Sequence, residues 1–166
     1  MKAEIKLIRV DNRLVHGQVG MSWTNSLDVD TIVVIDDDGV NDIFSQKLMM
    51  SIAKAANVQL RFYSIGDFMN VIFKNESNQK LFIVVKTIQI AKQLAQRGVP
   101  AQRLNLGNIH YERGRMPFNK KVYLTKEDVE DLNYLNQKGY SVFYQDVPGS
   151  PIEKIEELHY ESLIRR

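Results

Sequence analysis

The sequence predicts a single α/β domain, residues 1–166, with a mainly parallel central β-sheet and helices on both faces. Three observations carry this reading. Short β-branched runs recur along the chain, and several are apolar almost throughout, as strands buried on both faces must be. Stretches of helical length and period separate most of them, and strand–helix alternation marks a parallel sheet. No linker, repeat or low-complexity segment interrupts the 166 residues, a length that supports one domain with a substantial core.

Taken in order, residues 5–10 form the first strand, which stops at the charges of Asp11 and Arg13. A helix follows from Gly17, carrying Val19, Met21, Trp23 and Leu27. Residues 31–35 form the second strand. Residues 41–56 place Ile43, Phe44, Leu48, Met49, Ile52 and Ala53 on a helical stripe. Strand 58–63, helix 65–73 and strand 81–85 come next. Helix 87–97 ends at Gly98 and Pro100, a glycine suited to a helix end and a proline that cannot continue it. Residues 103–106 and 122–124 read as strands. Thr125 N-caps a helix with an acidic first turn, closed by Gly139. Residues 140–144 are the last strand, and Pro151 opens a last helix whose apolar face holds Ile152, Ile155 and Leu158. Residues 107–121 lack any period and read as a long loop, a kind of segment that often carries function in compact domains.

Composition narrows the function. Hydrophobic residues make up 44% and charged residues 25%, the balance of a globular chain. A formal charge of +2 is too small to argue for nucleic acid. The absence of cysteine excludes disulfides and thiolate metal sites and fits a reducing compartment. The start, Met1-Lys2-Ala3-Glu4, lacks the apolar run of a signal peptide, and the longest apolar runs are far too short to span a bilayer. We therefore expect a soluble, cytoplasmic protein that meets a membrane only through a partner.

Chemistry concentrates after the first strand. In open α/β sheets ligands bind beyond the carboxyl ends of the strands, and residues 11–16 fall at that edge. A helix start offers N–H groups and a positive partial charge to an anion. Arg13 adds a fork of donors suited to phosphate, and Asp11 can hold Arg13 or orient a ring. His16 is a candidate phosphate ligand, general acid/base or nucleophile. A lone histidine after a strand is more often structural, and Asp-x-Arg is often a local ion pair on a turn. The glycine-rich loops of nucleotide sites are absent, no set of side chains has metal-ligand spacing, and no cofactor is implied. His110 and His159 are weaker candidates, His159 being placed on the surface of the last helix.

The nine residues Asp11-Asn12-Arg13-Leu14-Val15-His16-Gly17-Gln18-Val19 resemble a known active-site segment. It belongs to the IIB components of the mannose/fructose/sorbose family of the bacterial phosphoenolpyruvate-dependent sugar phosphotransferase system. The family pattern is Arg-x-Asp-x-Arg-Leu-x-His-Gly-Gln-Val, and Arg9 fills its first position. Trp23, Ile35-Asp36-Asp37-Asp38, Asn105-Leu106-Gly107-Asn108 and Gln145-Asp146-Val147-Pro148 resemble further landmarks, so the likeness covers essentially the whole chain. It implies that His16 takes a phosphoryl group from a IIA partner on Nδ1 and passes it to a sugar held by the membrane components IIC and IID. It also implies that Arg13 compensates phosphoryl charge and that Asp11 positions Arg13 or the loop. Gln18 and the N–H groups from Gly17 onward would be further donors, with the Lys86-Thr87 loop bordering the site. Val15, Val85-Lys86-Thr87, Gly98-Val99-Pro100 and residues 105–111 look most like the branch serving N-acetylgalactosamine or galactosamine; mannose, fructose and sorbose are the alternatives.

Two other classes compete with a phosphocarrier. A regulatory module would use the same loop to dock a partner without passing phosphate on. A nucleic-acid binder would use Arg113, Arg115, Lys120 and Lys121, though no aromatic interleaving accompanies them. Phosphocarrier complexes must form and part every cycle, so the docking face should be small and exposed, with Arg13, Leu14 and Val15 on it.

Overall fold

The computed structural model describes residues 3–38, 41–74 and 76–165; the side chains of Gln18 and Val19 lie outside the described set. The elements run β1 Glu4–Val10, α1 Gly17–Leu27, β2 Thr31–Ile35, α2 Ile43–Ala55, β3 Gln59–Tyr63, α3 Ile65–Ile72, β4 Lys80–Val85 and α4 Ile88–Gln96. They continue as β5 Arg103–Leu106, β6 Met116–Pro117, β7 Tyr123–Leu124, α5 Lys126–Gln137, β8 Ser141–Tyr144, β9 Glu153–Lys154 and α6 Tyr160–Ile164.

Six parallel strands and one antiparallel edge strand form the main sheet in the order β3-β2-β4-β1-β5-β8-β9. Each strand buried on both sides splits its side chains between two cores. One core packs Phe68, Leu94 and Leu132 of α3, α4 and α5 over Ile8, Ile83 and Leu104. The other packs Trp23 of α1 and Met49 of α2 over Leu7, Ile32, Val34 and Phe82. Helices therefore cover both faces, as the double burial of β2 and β4 requires. Strand β3 is an edge, and its pattern of exposure shows it.

Strand β1 contains a β-bulge. Its register with β4 steps from Ile5–Leu81 to Leu7–Phe82, skipping Lys6. Ile5 and Ile8 therefore point into one core, while Leu7 and Arg9 point to the other side. This places Arg9 beneath α1, against Trp23.

Helix starts follow cap chemistry. Asp42, Ser64, Thr87 and Thr125 each accept a backbone N–H three residues on, opening α2, α3, α4 and α5. At α5 Asp128 returns the bond to the Thr125 N–H, completing a capping box. Replacing Thr125 with alanine is expected to cost about 1 kcal/mol. In a domain of this size that lowers the melting temperature by about 2–4 °C in a circular-dichroism melt. Gly98 and Gly139 follow the ends of α4 and α5 at φ +103° and +90°, a region glycine enters without strain.

Two expectations fail here. Residues 151–158 are not a helix: Glu153–Lys154 pairs antiparallel with β8, and only residues 160–164 are helical. The spacing of Ile152, Ile155 and Leu158 imitates a helix, but other partners take the backbone groups. The Ile155 N–H donates to Val142 O, Asn136 Nδ2 donates to the carbonyls of Ile155 and Glu156, and Asn133 both donates to and accepts from the Leu158 backbone. Ile152 is exposed as a result, and His159 is the exposed N-cap of α6. Residues 107–121 are not loop throughout, although residues 123–124 are a strand as expected. Strand β7 pairs with β6, inside what reads as loop, and Asn119 Oδ1 accepts the N–H groups of Lys121 and Val122 to set that turn.

Candidate functional site

Leaving β1 the chain turns toward β2 through α1, whereas β4 turns the other way to β5 through α4. Beside β4, strand β2 leads the opposite way to β3, and the divergence of β2 and β4 opens a crevice at their carboxyl ends that the loop after β1 also borders, where a doubly wound sheet holds its ligand. Residues 12–17 line it.

This loop is tied down on both sides. The Asp11 N–H donates to Val85 O and the Asn12 N–H to Asn108 O. The Asn12 amide donates to Lys86 O and accepts the His110 N–H, so one side chain holds the loops after β4 and β5 to the loop after β1. Leu14 sits at φ +58°, a left-handed conformation uncommon for a leucine. It closes a turn in which the Leu14 N–H donates to Asp11 O and the Arg13 N–H to Asp11 Oδ1. The chain then delivers Val15 into the core and His16 to the mouth of α1.

Asp11 is wholly buried and organises the polar groups. Its Oδ2 accepts from Arg9 Nε and Nη2 at 3.3 and 3.2 Å, accepts from Asn108 Nδ2 at 3.0 Å, and lies 3.1 Å from His16 Nε2. Burial alone would raise the Asp11 carboxyl; the bonds from His16 and the Arg13 N–H, with the charges of Arg9 and His16, outweigh it and hold it below the ordinary carboxylate value. An ionised carboxylate only accepts, which places a hydrogen on His16 Nε2, so that in the neutral ring the lone pair is on Nδ1. His16 is also the N-cap of α1 and, unlike the caps of α2 to α5, gives that helix no side-chain bond.

The crevice is lined on one side by Asn12, Arg13, Leu14, His16 and Lys86, and on the other by Asp36, Asp42, Ser45 and Leu48. Arg13 is exposed, and Asp11 reaches it through its backbone N–H. Lys86 is exposed at the rim, whereas Thr87 is not among the lining residues, its hydroxyl being engaged in capping α4. The Gln18 side chain falls outside the described residues, and the Gly17 backbone starts the helix. Val15 does not face solvent: it is buried beneath the loop against Gly20, where a side chain's first carbon would come within 3.2 Å of it. The exposed apolar surface lies instead on α2, where Ile43, Phe44 and Leu48 stand free beside the crevice. Asn12 and Asp36 lie in stretches that carry the resemblance but have no role assigned there, and Asp42 has no such mark; the topology brings all three to the crevice. Of the four basic residues 113–121, Arg115 bonds His110 O and Glu112, and Lys121 pairs with Asp146. Among the described residues no cluster of side chains could hold a metal ion, and no helix is long and apolar enough to cross a membrane.

A mainly parallel sheet with a histidine loop at its switch point is the frame of a phosphoryl-transfer domain, and comparison with known proteins gives that class its name. Residues 5–164 match the family described as PTS system sorbose subfamily IIB component. N-acetylgalactosamine-specific phosphotransferase enzyme IIB component 1 of Escherichia coli (strain K12) is 40% identical over 153 residues, 92% of this chain and 97% of that one. The corresponding IIB component 2 of the same strain is 33% identical over 147 residues, 89% and 93% of the two chains. The crystal structure of the Escherichia coli N-acetylgalactosamine-specific IIB component 1 superposes with a TM-score of 0.88 at 41% identity, covering 92% of this chain and 99% of that one. The chain belongs to the sorbose subfamily of phosphotransferase-system IIB components and is a sugar phosphotransferase subunit.

Proposed function

We propose that His16 Nδ1 carries the phosphoryl group between a phosphorylated IIA partner and a sugar bound to IIC and IID at the membrane, with the subunit working from the cytoplasm. The single observation that carries this reading is the Nε2–Asp11 contact, which commits one ring nitrogen and leaves the other for chemistry. The Nδ1 lone pair attacks phosphorus while the bond to the donor breaks and its electron pair leaves with the donor. The ring, still protonated on Nε2, gains positive character that Asp11 stabilises. In the second step the sugar hydroxyl oxygen attacks phosphorus, the N–P bond returns its pair to Nδ1, and the hydroxyl proton passes to solvent or a partner base. Arg13 and Lys86 supply the cations at the crevice mouth, and the first-turn N–H groups from Gly17 onward add donors where negative charge grows.

The sugar we assign is N-acetylgalactosamine or galactosamine, on the identity to the two relatives named for the former. Partner docking is assigned to Arg13 together with Ile43, Phe44 and Leu48, an exposed apolar flank suited to a small, transient interface.

Mass spectrometry tests the carrier role. The protein is mixed with phosphoenolpyruvate, the two general phosphotransferase proteins and a cognate IIA, and kept alkaline. One added phosphate mapped to His16 is expected; none, with an active control pair, would move the assignment to a regulatory module. Uptake with the membrane components across a panel including mannose, fructose and sorbose tests the sugar. Arg13→Ala is expected to slow transfer from IIA about 100-fold, the usual cost of losing one preorganised donor. Being exposed, it should leave the melting temperature within about 1 °C; unchanged transfer would remove Arg13 from the site.

A further inference from the structure

The phosphoryl steps above make no use of Arg9, yet it is a large, charged side chain only 2% exposed on β1. A buried guanidinium is costly unless every face is matched, and here each one is. Nε and Nη2 donate to Asp11, Nη1 donates to Asn105 Oδ1 and Gln145 O, and Cζ lies 5.4 Å from the Trp23 ring centroid. Space for it is made at Gly107, where a side chain's first carbon would fall 2.3 Å from Arg9 Nη2. The position is thus built from β1, α1, β5 and the segment after β8.

We propose that Arg9 is a positioning residue for phosphoryl acceptance, holding Asp11 in place and supplying its counter-charge so that His16 need not be the cation. This rests on His16 being the acceptor. The charge count around Asp11 gives the reason. A buried carboxylate must be balanced, and the groups within reach are Arg9 on one side and His16 on the other. With Arg9 present the triad Arg9⁺–Asp11⁻–His16 is neutral while the imidazole is neutral, and Nδ1 keeps the lone pair that attacks phosphorus. Without Arg9 the same carboxylate is balanced only by a proton on Nδ1, which removes the nucleophile. Other ionisable groups influence Arg9 from further off: Tyr144 and Asp146 from β8 and the turn after it, and Lys121 from the turn before β7. Lys121 and Asp146 pair with each other, which leaves Arg9 as the counter-ion in direct contact with Asp11.

The test is an NMR titration of the His16 ring nitrogens in wild type, Arg9→Met, Arg9→Lys and Gly107→Ala. In Arg9→Met the midpoint of the His16 titration is expected to rise by about one pH unit or more, the shift a nearby uncompensated charge produces. Phosphoryl acceptance should fall severalfold at neutral pH and recover as the pH is raised by that interval, a displaced profile that simple loosening of the fold would not produce. Arg9→Lys keeps the charge and should keep most of the wild-type midpoint. Gly107→Ala keeps every charge but pushes the guanidinium off Asp11, so it should move the midpoint in the same direction by less. That variant keeps the proposal testable if Arg9→Met does not fold. An unchanged midpoint in folded Arg9→Met, or in Gly107→Ala if Arg9→Met is unfolded, overturns the role of Arg9. The titration needs no phosphoryl donor, so that outcome leaves the carrier reading untouched. A shifted midpoint in a protein whose His16 never takes phosphate would instead sink the carrier reading and retain the Arg9–Asp11–His16 coupling.

Discussion

His16→Ala is expected to abolish phosphate incorporation from phospho-IIA while leaving the protein folded. Loss should be complete because no other histidine can take over. The His110 N–H is bound by Asn12 in a loop outside the crevice lining, and His159 is exposed at the start of α6, on a segment packed against α5. Stability should change little. Asp11 retains Arg9 and Asn108 when the imidazole is gone, so no buried charge is left unpaired. Intact-mass measurement of wild type and variant side by side decides it, and phosphate at wild-type level on His16→Ala would place the acceptor elsewhere.

Asp11→Ala should have the largest effect on stability of any single change at the site. It strands Arg9, buried and ionised, with acceptors only from Asn105 and Gln145. Breaking a buried pair by removing one partner costs about 3–5 kcal/mol, a large share of the roughly 5–15 kcal/mol that holds a domain together. Urea unfolding should show this as a lower midpoint with an unchanged slope, and stability equal to wild type would mean the ion pair contributes nothing. The same group predicts an acid limb. Its folded value lies below the unfolded reference of about 3.9, so its contribution is fully present above that reference and disappears as pH falls through the folded value. The part of the stability gap between wild type and Asp11→Asn that comes from this carboxylate should therefore narrow as pH falls below about 4.

Much of this architecture is legible in the residues because double burial leaves little choice. Strands such as residues 31–35 and 103–106 carry apolar or matched side chains at nearly every position, and Thr87, Thr125, Gly98 and Gly139 mark helix ends by local chemistry alone. His16, Asp11 and Arg13 are legible as a group because they lie within six residues of one another. The partners of Asp11 and Arg9 are not. Asn105, Asn108 and Gln145 approach only when β1 inserts beside β5, and no local signal ties them to it. Residues 151–158 mislead for the opposite reason. Their apolar spacing is helical, but the groups that decide their conformation, Asn133, Asn136 and Val142, sit on elements the segment itself does not reveal.

The extra residue in β1 also makes tolerance of length change uneven along the strand. Losing Lys6 would restore strict two-residue alternation, with Ile5, Ile8 and Val10 still facing one core and Leu7 and Arg9 the other. Losing one residue between Leu7 and Asp11 has no such slack to absorb it. If Ile8 is lost, either Arg9 stays and Lys6 takes the place of Leu7 in the α1–α2 core, or residues 4–7 stay and Arg9 turns to the α4–α5 core. Lys6 thus works as a spacer that insulates the alignment of the phosphoryl site from changes ahead of it, and an insertion or deletion scan through residues 4–11 should fall into two classes divided at that position.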